Sequence, residues 1–451
     1  MTGPVQQLRL AELLGALSHA LDLTEGQPKG HCIRCCWIGT RLGIRLKLRP
    51  DEISGLYYTL LLKDLGCSSN AARICELYVA DDIAFKRDFK LIDGSLPQAL
   101  RFVLGHTGLE AGLAGRFRAI INILKNGGEI SRELIEARCH RGAEIAARMG
   151  FSQAVCDGIQ NLDEHWDGTG KPEGLSGPSV PLFSQIALLA QVADVFNIAN
   201  GPAAALREIR NRSGSWFNTD IVAAFADLQA EKDFWNVLKD ENLPALVLDL
   251  EPAKAERYVD DDYLDQIALA FAQVIDAKSS FTRGHSERVA VFSDMIAEEL
   301  GFAKDRRRWL HRAALLHDIG KLAISNSILD KPAKLTEQEF AVVKSHPAHS
   351  ENILAAISVF ADLAPIAGGH HERLDGKGYP RGLKAADINL ETRIVTTADI
   401  FDALTADRPY RSAMPVSQAY SIMMKDLGTA IDPICFKALQ SVLARADEAA
   451  A

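Results

Sequence analysis

Histidine and aspartate recur along the second half of the chain at spacings that suit a cluster of metal ions. The candidate ligands are His285, His317, Asp318, His346, His370, His371 and Asp399. Imidazole and carboxylate are the ligands of hydrolytic metal sites, and the absence of cysteine from the set favours iron or manganese over structural zinc. A carboxylate can also bridge two cations and reduce their mutual repulsion. These residues therefore predict a dinuclear hydrolytic site.

The elements that must position these residues are predicted to be helices. Apolar residues recur at helical spacing in 263–278, 286–300 and 306–317, while alternating β-branched runs are scarce. Two of the candidate ligands, His317 and Asp318, are adjacent, and helix neighbours project about 100° apart. A helix end that faces the metals can still offer both side chains, and Gly320 permits such an end. We therefore predict an all-α fold.

Three runs in this half resemble the HD phosphohydrolase signature and its HD-GYP subfamily. They are His317-Asp318-Ile319-Gly320-Lys321, His370-His371-Glu372-Arg373-Leu374-Asp375-Gly376-Lys377-Gly378-Tyr379-Pro380, and Ala398-Asp399-Ile400-Phe401-Asp402-Ala403-Leu404-Thr405 with Asp407-Arg408-Pro409-Tyr410-Arg411. The resemblance implies a helical bundle around two or three metal ions. It also implies hydrolysis of cyclic di-GMP to linear pGpG, with further cleavage to GMP left open.

The resemblance also implies a role for each residue. The seven histidines and aspartates named first match the metal ligands of the family, and Asp318 matches its bridging carboxylate. Lys321 matches a residue that meets the substrate phosphate, while Tyr379 and Arg408 match positions near the ligand. Some members hold a third metal through a glutamate four residues before the first histidine. Phe281 stands at that position here, so we predict two divalent metal ions, iron or manganese.

The two halves of the chain share four landmarks in the same order, which indicates a duplication. Residues 30–34 match 284–288, 61–66 match 315–320, 166–172 match 374–380, and 193–196 match 398–401. The separations agree, since 63 − 31 = 32 and 317 − 285 = 32. We predict tandem HD-type domains, with a degenerate copy at 1–240, an insertion in it at about 68–137, a linker at 241–257 and a phosphohydrolase domain at 258–451.

The first copy is predicted to have lost the metal site. Its replacements are Lys63 for His317, Arg138 for His346, Leu162 and Asp163 for His370 and His371, and Lys171 for Tyr379. The surviving matches are His31, Asp64 and, after a three-residue slip, Asp194 for Asp399. We expect no catalysis there, and either a packing or a regulatory role.

Composition excludes some classes of protein. The 451 residues carry a net charge of −9 without a long basic run, which argues against binding to DNA or RNA polymers. Neither a signal peptide nor an uninterrupted apolar stretch of membrane length is evident, so we expect a cytoplasmic protein without a membrane segment. The cluster Cys32, Cys35 and Cys36 lacks a second cysteine pair, which favours buried side chains over structural zinc.

The sequence leaves three functions open. The first is a cyclic di-GMP phosphodiesterase, and the second is an HD-type phosphohydrolase of another nucleotide, such as a different cyclic dinucleotide. The third is a non-catalytic, nucleotide-responsive signalling module, against which the complete ligand set speaks. Diguanylate cyclase domains are expected as partners through the family resemblance alone, and a homodimer remains open.

Overall fold

The computed structural model describes residues 8–92, 95–109, 112–252, 257–279, 281–407 and 412–450. They contain helices and isolated β-bridges, and no β-strand occurs within these ranges. The predicted all-α class is confirmed. The chain divides into two compact units, Met1–Tyr263 and Leu264–Ala451, which we call the first and second units. The predicted domain limits of 240 and 258 remain predictions.

The first unit is a bundle of helices that pack through buried apolar side chains. Its α-helices are α1 Leu10–Thr24, α2 His31–Arg45, α3 Pro50–Leu62, α4 Ala71–Tyr78, α5 Asp82–Phe89, α6 Leu96–His106, α7 Leu113–Arg148, α8 Gln153–Gln160, α9 Leu182–Asn200, α10 Pro202–Asn211, α11 Thr219–Leu228, α12 Phe234–Val237 and α13 Leu243–Leu248. A short 3₁₀ helix covers Gly177–Ser179. Helices α2, α3, α8 and α9 pack against one another, and the start of α2, the end of α3 and α9 carry residues that match the second half.

The predicted insertion at 68–137 includes α4, α5, α6 and most of α7. Its buried side chains form a hydrophobic cluster of their own: Ile74, Tyr78, Phe85, Phe102, Ile123, Ile130 and Leu134. The rings of Tyr78, Phe85 and Phe102 are in contact, with centroids 4.3 and 4.9 Å from that of Phe85. The apolar side chains of this segment therefore stabilise a local bundle inside the first unit.

The second unit is formed by helices from α14 onward. Its α-helices are α14 Asp261–Lys278, α15 His285–Glu299, α16 Lys304–Leu316, α17 Asn326–Leu329, α18 Glu337–Val343, α19 His346–Ala355, α20 Ala364–Gly369, α21 Leu390–Thr405, α22 Val416–Met423 and α23 Pro433–Ala450. Its 3₁₀ helices are Ile319–Ala323, Ser358–Leu363, Ala385–Asp387 and Met424–Asp426. The three helices predicted from periodicity correspond to α14, α15 and α16.

Among the helices that the structure describes, α9 has the length and apolar character of a membrane span. However, 72% of its most apolar stretch is buried inside the protein. Burial of this kind is typical of a core helix, which is apolar around most of its circumference.

Candidate metal centre

Two helix ends bring the adjacent ligand pairs to one place in the second unit. Helix α16 ends at Leu316, so His317 and Asp318 follow its last turn. In the same way α20 ends at Gly369, and His370 and His371 follow it. A helix end presents successive side chains in different directions, which allows each pair to contribute two ligands.

Three imidazoles are oriented by backbone carbonyls just before them in the chain. The Nδ1 atoms of His317, His346 and His370 each lie 2.7 Å from a carbonyl oxygen three residues earlier. A histidine that donates its Nδ1 proton in this way keeps a lone pair on Nε2. This is the usual arrangement of a metal-binding histidine, whose second ring nitrogen is held by a carbonyl or a carboxylate.

The Asp318 carboxylate lies between two groups of imidazoles. Its Oδ2 atom is 3.3 Å from His317 Nε2 and 3.6 Å from His285 Nε2. Its Oδ1 atom is 3.3 Å from His346 Nε2 and 3.6 Å from His370 Nε2. Each oxygen therefore faces a different pair of ring nitrogens, as a bridging carboxylate would.

The remaining ligand candidates complete two clusters. His285, His317 and Asp399 offer ligand atoms within 4.8 Å of one another, and so do His346, His370 and His371. His285 Nε2 is 3.4 Å from Asp399 Oδ1. All seven predicted ligands thus lie together, and Asp318 separates the two clusters.

Unpaired polar atoms show that this site fits metal ions. Both His317 Nε2 and Asp318 Oδ1 are buried and lack a hydrogen-bond partner among the described residues. His346 Nε2 also faces His370 Nε2 at 3.2 Å, where two lone pairs would meet. Buried polar atoms are almost always satisfied in folded proteins. Cations placed between these nitrogen and oxygen atoms would satisfy them.

The protonation of the imidazoles differs between the two clusters. Burial lowers the pKa of His346 to about 4, despite the nearby Asp318 carboxylate. His285 is also buried, but hydrogen bonds to Asp318 and Asp402 raise its pKa to about 9. The carboxylates around His285 thus favour positive charge, which a divalent cation can supply.

A buried carboxylate that was not identified from the sequence holds His285. Asp402 Oδ2 lies 2.7 Å from His285 Nδ1, and Asp402 Oδ1 accepts a hydrogen bond of 2.5 Å from Arg288 Nε. Asp402 and Arg288 therefore orient the imidazole with Nε2 toward the metal position. Their signal in the sequence is the matching pair in the first copy, Asp194 and Arg34.

The predicted substrate-binding residues surround the same site. Lys321 Nζ lies 2.5 Å from Asp318 Oδ2 and remains partly exposed. The Tyr379 ring packs on His371 at a centroid distance of 4.9 Å, and its backbone N–H donates to the His371 carbonyl oxygen. Arg408 lies outside the described residues. Lys321 and Tyr379 are therefore placed to meet a ligand at the metals, while their roles remain predictions.

Gly320 is needed for a close approach of two backbones. A Cβ atom at this position would lie 2.1 Å from the His346 carbonyl oxygen and 2.6 Å from the Ser350 backbone nitrogen. Helix α16 ends before Gly320, as predicted, but the φ of Gly320 is not in the left-handed region, so it is the packing that requires a glycine here. This contact sets the distance between Asp318 and His346.

We expect Gly320→Ala to separate the metal ligands. The added methyl group must push α19, and with it His346, away from Asp318. Metal content should fall by about half, because one cluster loses a ligand, and turnover should drop at least about tenfold. Elemental analysis and steady-state rates would measure this. Gly128→Ala, on helix α7 with open space around it and an ordinary helical backbone, is the control and should keep full metal content.

In the first unit, side-chain cations lie at positions that match the metal ligands. Lys63 Nζ contacts the Asp64 carboxylate, His31 Nε2 at 3.1 Å and Gln191 Oε1 at 3.2 Å. Lys63 and Asp64 are both fully buried. Arg138 pairs with Asp163, where the second unit has His346 and His371. These side-chain cations would repel metal ions at the matching positions, and the absence of a dinuclear site from this copy stays a prediction.

The insertion adds a second cation to this centre. Lys90, directly after α5, places Nζ 2.7 Å from Glu25 Oε2 and 3.2 Å from Gln191 Oε1. The same ammonium lies 3.9 Å from Asp64 Oδ1. Burial raises the pKa of Glu25, but the charges of Lys90 and Lys86 outweigh this effect and lower the pKa to about 2. Two lysines therefore neutralise carboxylates in a centre whose counterpart in the second unit is the candidate metal site.

The predicted match of Asp194 to Asp399 was wrong. Asp194 Oδ2 lies 2.7 Å from His31 Nδ1 and its Oδ1 accepts a 2.6 Å hydrogen bond from Arg34 Nε, as Asp402 does with His285 and Arg288. The spacing agrees without a slip, since 194 − 167 = 27 and 402 − 375 = 27. Gln191, three residues before Asp194, therefore takes the place of Asp399. The first copy keeps two of the seven ligand types, His31 and Asp64.

The cysteine cluster supports the expectation of buried side chains. Cys32, Cys35 and Cys36 are free, fully buried thiols on α2. Burial raises the pKa of Cys32 well above its ordinary value.

Comparison with known proteins places this geometry in a family. The family model described as "HD domain" matches residues 117–221 and 270–434, one segment in each unit. The chain belongs to the HD domain family. The predicted resemblance is confirmed, and the paired matches agree with a duplicated HD domain.

Relatives extend the comparison. The 3'3'-cGAMP-specific phosphodiesterase 3 of Vibrio cholerae is 53% identical over 434 residues, covering 96% of this chain and 94% of that protein. The response regulator RpfG of Xanthomonas campestris, a cyclic di-GMP phosphodiesterase, is 42% identical over 37% of this chain and 45% of its own length. A crystal structure of a cyclic GMP-AMP-specific phosphodiesterase of V. cholerae matches with a TM-score of 0.66 and 48% identity, covering 97% of this chain and 98% of that one.

Proposed function

We propose that this HD-domain protein is a metal-dependent phosphodiesterase that hydrolyses a cyclic dinucleotide, with 3'3'-cGAMP as its preferred substrate. The observation that carries the catalytic part is the gathering of six candidate ligands around a seventh, Asp318, with unpaired buried atoms on His317 and Asp318. A non-catalytic signalling module would have no need for this complete arrangement. In the first copy, where we predict no catalysis, Lys63 and Arg138 replace two of the histidines.

The substrate part rests on the extent of similarity. The V. cholerae 3'3'-cGAMP-specific relative matches through both units, whereas RpfG matches 37% of the chain. Cyclic di-GMP, the substrate predicted from the HD-GYP resemblance, is the second candidate. It is favoured by RpfG and by the 40% identical cyclic di-GMP phosphodiesterase of Thermotoga maritima.

The ligand set suits two divalent cations of iron or manganese. The oxygen and nitrogen donors form one cluster on each side of Asp318, and cysteine is absent from both clusters. Bound cations of this kind lower the pKa of water and stabilise negative charge on phosphoryl oxygens. Phe281, where some family members carry a third-metal glutamate, has no donor atom in its side chain.

The protein's own residues hold and orient the reacting groups. Asp402 and Arg288 hold His285 in position, and backbone carbonyls hold His317, His346 and His370. Lys321 carries positive charge beside Asp318 and can donate hydrogen bonds to a phosphoryl oxygen. Tyr379 covers His371 and limits access of water from that side. Hydrolysis of one phosphodiester gives a linear dinucleotide, and a second cleavage would give mononucleotides.

The test is turnover by protein purified without oxygen and loaded with iron or manganese. Equal concentrations of 3'3'-cGAMP and cyclic di-GMP would be supplied separately and together, with products separated by chromatography. The proposal expects a linear dinucleotide from 3'3'-cGAMP and a higher kcat/KM for it than for cyclic di-GMP. A higher value for cyclic di-GMP would select the second candidate. Bound metal without turnover of either would overturn the proposed function.

A further inference from the structure

An exposed aromatic surface adjoins the metal centre on helix α18. The side chain of Phe340 is 45% exposed, and it follows the Thr336–Glu339 capping box that begins the helix. Its ring contacts the Tyr379 ring edge-to-face, with centroids 6.4 Å apart. Tyr379 in turn packs on the ligand His371 at 4.9 Å. The three rings form a continuous path from the metal centre to the protein surface.

A cation accompanies this path. Lys344 Nζ lies 4.6 Å from the Phe340 ring centroid and 5.7 Å from that of Tyr379. Lys344 is four residues, about one helical turn, after Phe340, so both side chains lie on the same face of α18. We call Phe340, Tyr379 and Lys344 the aromatic ledge.

The Phe340 ring of the ledge is not part of the buried core. Phe340 could be buried if packing were its purpose, because apolar rings at the surface lose the free energy of burial. Moreover, α18 has no buried residue and is held by a capping box between Thr336 and Glu339. Its exposed ring is therefore available to a ligand that binds at the metals.

The chemistry of the ledge matches one part of a cyclic dinucleotide. Aromatic side chains stack with nucleobases, and a lysine next to them adds positive charge for a phosphate. A cyclic dinucleotide bound with one phosphodiester at the metals extends its bases away from them. We propose that the aromatic ledge binds a purine of the substrate, with Phe340 as the stacking residue. This inference rests on the proposed function, which supplies the substrate.

The ledge should give affinity without discriminating between purines. Every purine has a π-face, so stacking tolerates a change of base. Removal of the ring should therefore raise KM for 3'3'-cGAMP and for cyclic di-GMP by the same factor. Preference between the two substrates must come from other residues, which contact the edges of the bases.

The experiment compares Phe340→Ala and Phe340→Trp with wild type, all loaded with metal. We expect Phe340→Ala to raise KM about tenfold for both cyclic dinucleotides, with kcat changed less than about twofold. Phe340→Trp should stay within about twofold of wild type. Val342→Ala, which truncates a residue of the same helix that is 43% exposed, is the matched control and should change neither parameter.

Two further measurements separate the possible failures. Methyl p-nitrophenyl phosphate carries no base, so its hydrolysis should be equal in all variants; a parallel loss with Phe340→Ala would mean that the ring only supports His371. Binding of a hydrolysis-resistant phosphorothioate analogue, measured by calorimetry, tests the ledge without turnover. If wild type binds the analogue but hydrolyses neither 3'3'-cGAMP nor cyclic di-GMP, the proposed function alone is overturned. If Phe340→Ala binds the analogue as tightly as wild type does, the ledge is overturned. If wild type did not bind the analogue, both would be overturned.

Discussion

Replacement of both His317 and Asp318 by alanine is expected to abolish hydrolysis and empty the metal centre. Asp318 is the one carboxylate that faces both clusters, and His317 belongs to the group with His285 and Asp399. Loss of the metals removes both the activated water and the charge stabilisation of the phosphoryl group. Turnover should fall at least about 1,000-fold, equivalent to about 4 kcal/mol of transition-state stabilisation. Elemental analysis and product chromatography on the same preparation measure both effects.

Two single variants divide this effect into metal binding and phosphate binding. His285→Ala should empty the position near Asp399, whereas Lys321→Ala should retain both metals and lose turnover through weaker contact with the phosphate. His311→Ala removes a histidine that is outside the clusters and serves as the control. Equal loss of metal from His285→Ala and Lys321→Ala would contradict the separate roles. Full metal content in the double variant would contradict the assignment of the centre itself.

The ligands are predictable because the helical framework is strongly periodic and the ligand types are distinctive. The adjacent pairs, His317 with Asp318 and His370 with His371, could be placed at helix ends from the order of residues alone. The supporting contacts could not be placed in this way. Asp402 holds His285 across 117 positions of sequence, and such pairing depends on how α15 packs on α21. The matching pair of His31 and Asp194 has the same spacing in the sequence, but the hydrogen bond in each unit is what identifies Asp194 as the counterpart of Asp402.

Gly320 illustrates a different limit. A glycine after a helix suggests a conformational requirement, but its role here is the approach of the His346 backbone, 26 residues away. Likewise, the sequence identified Lys63 as incompatible with a metal but gave no sign of Lys90. That lysine comes from the insertion and reaches Glu25 through the tertiary packing of α5. Residues that act through packing therefore escaped prediction, while residues that define the motif did not.

Replacement of Lys63 by methionine is expected to destabilise the first unit by about 3–5 kcal/mol, because it leaves a buried carboxylate without its closest cation. Burial raises the pKa of Asp64, but Lys63 and Lys90 lower it more, so the carboxylate is ionised in the folded protein. After the substitution, the nearest lysine ammonium is that of Lys90, 3.9 Å away. Urea unfolding followed by tryptophan fluorescence would report mainly on this unit, which contains Trp37, Trp166, Trp216 and Trp235.

The double variant Lys63→Met, Asp64→Asn decides whether charge is the cause. It removes both members of the buried pair, so most of the lost stability should return, since a neutral pair in the same space avoids the cost of an uncompensated charge. Neither variant should alter the metal content, because the predicted ligands all belong to the second unit. A Lys63→Met protein within about 0.5 kcal/mol of wild type would mean that Lys90 alone suffices to balance Asp64. In that case the Lys63 ammonium would not be the interaction that stabilises the interior of the first unit.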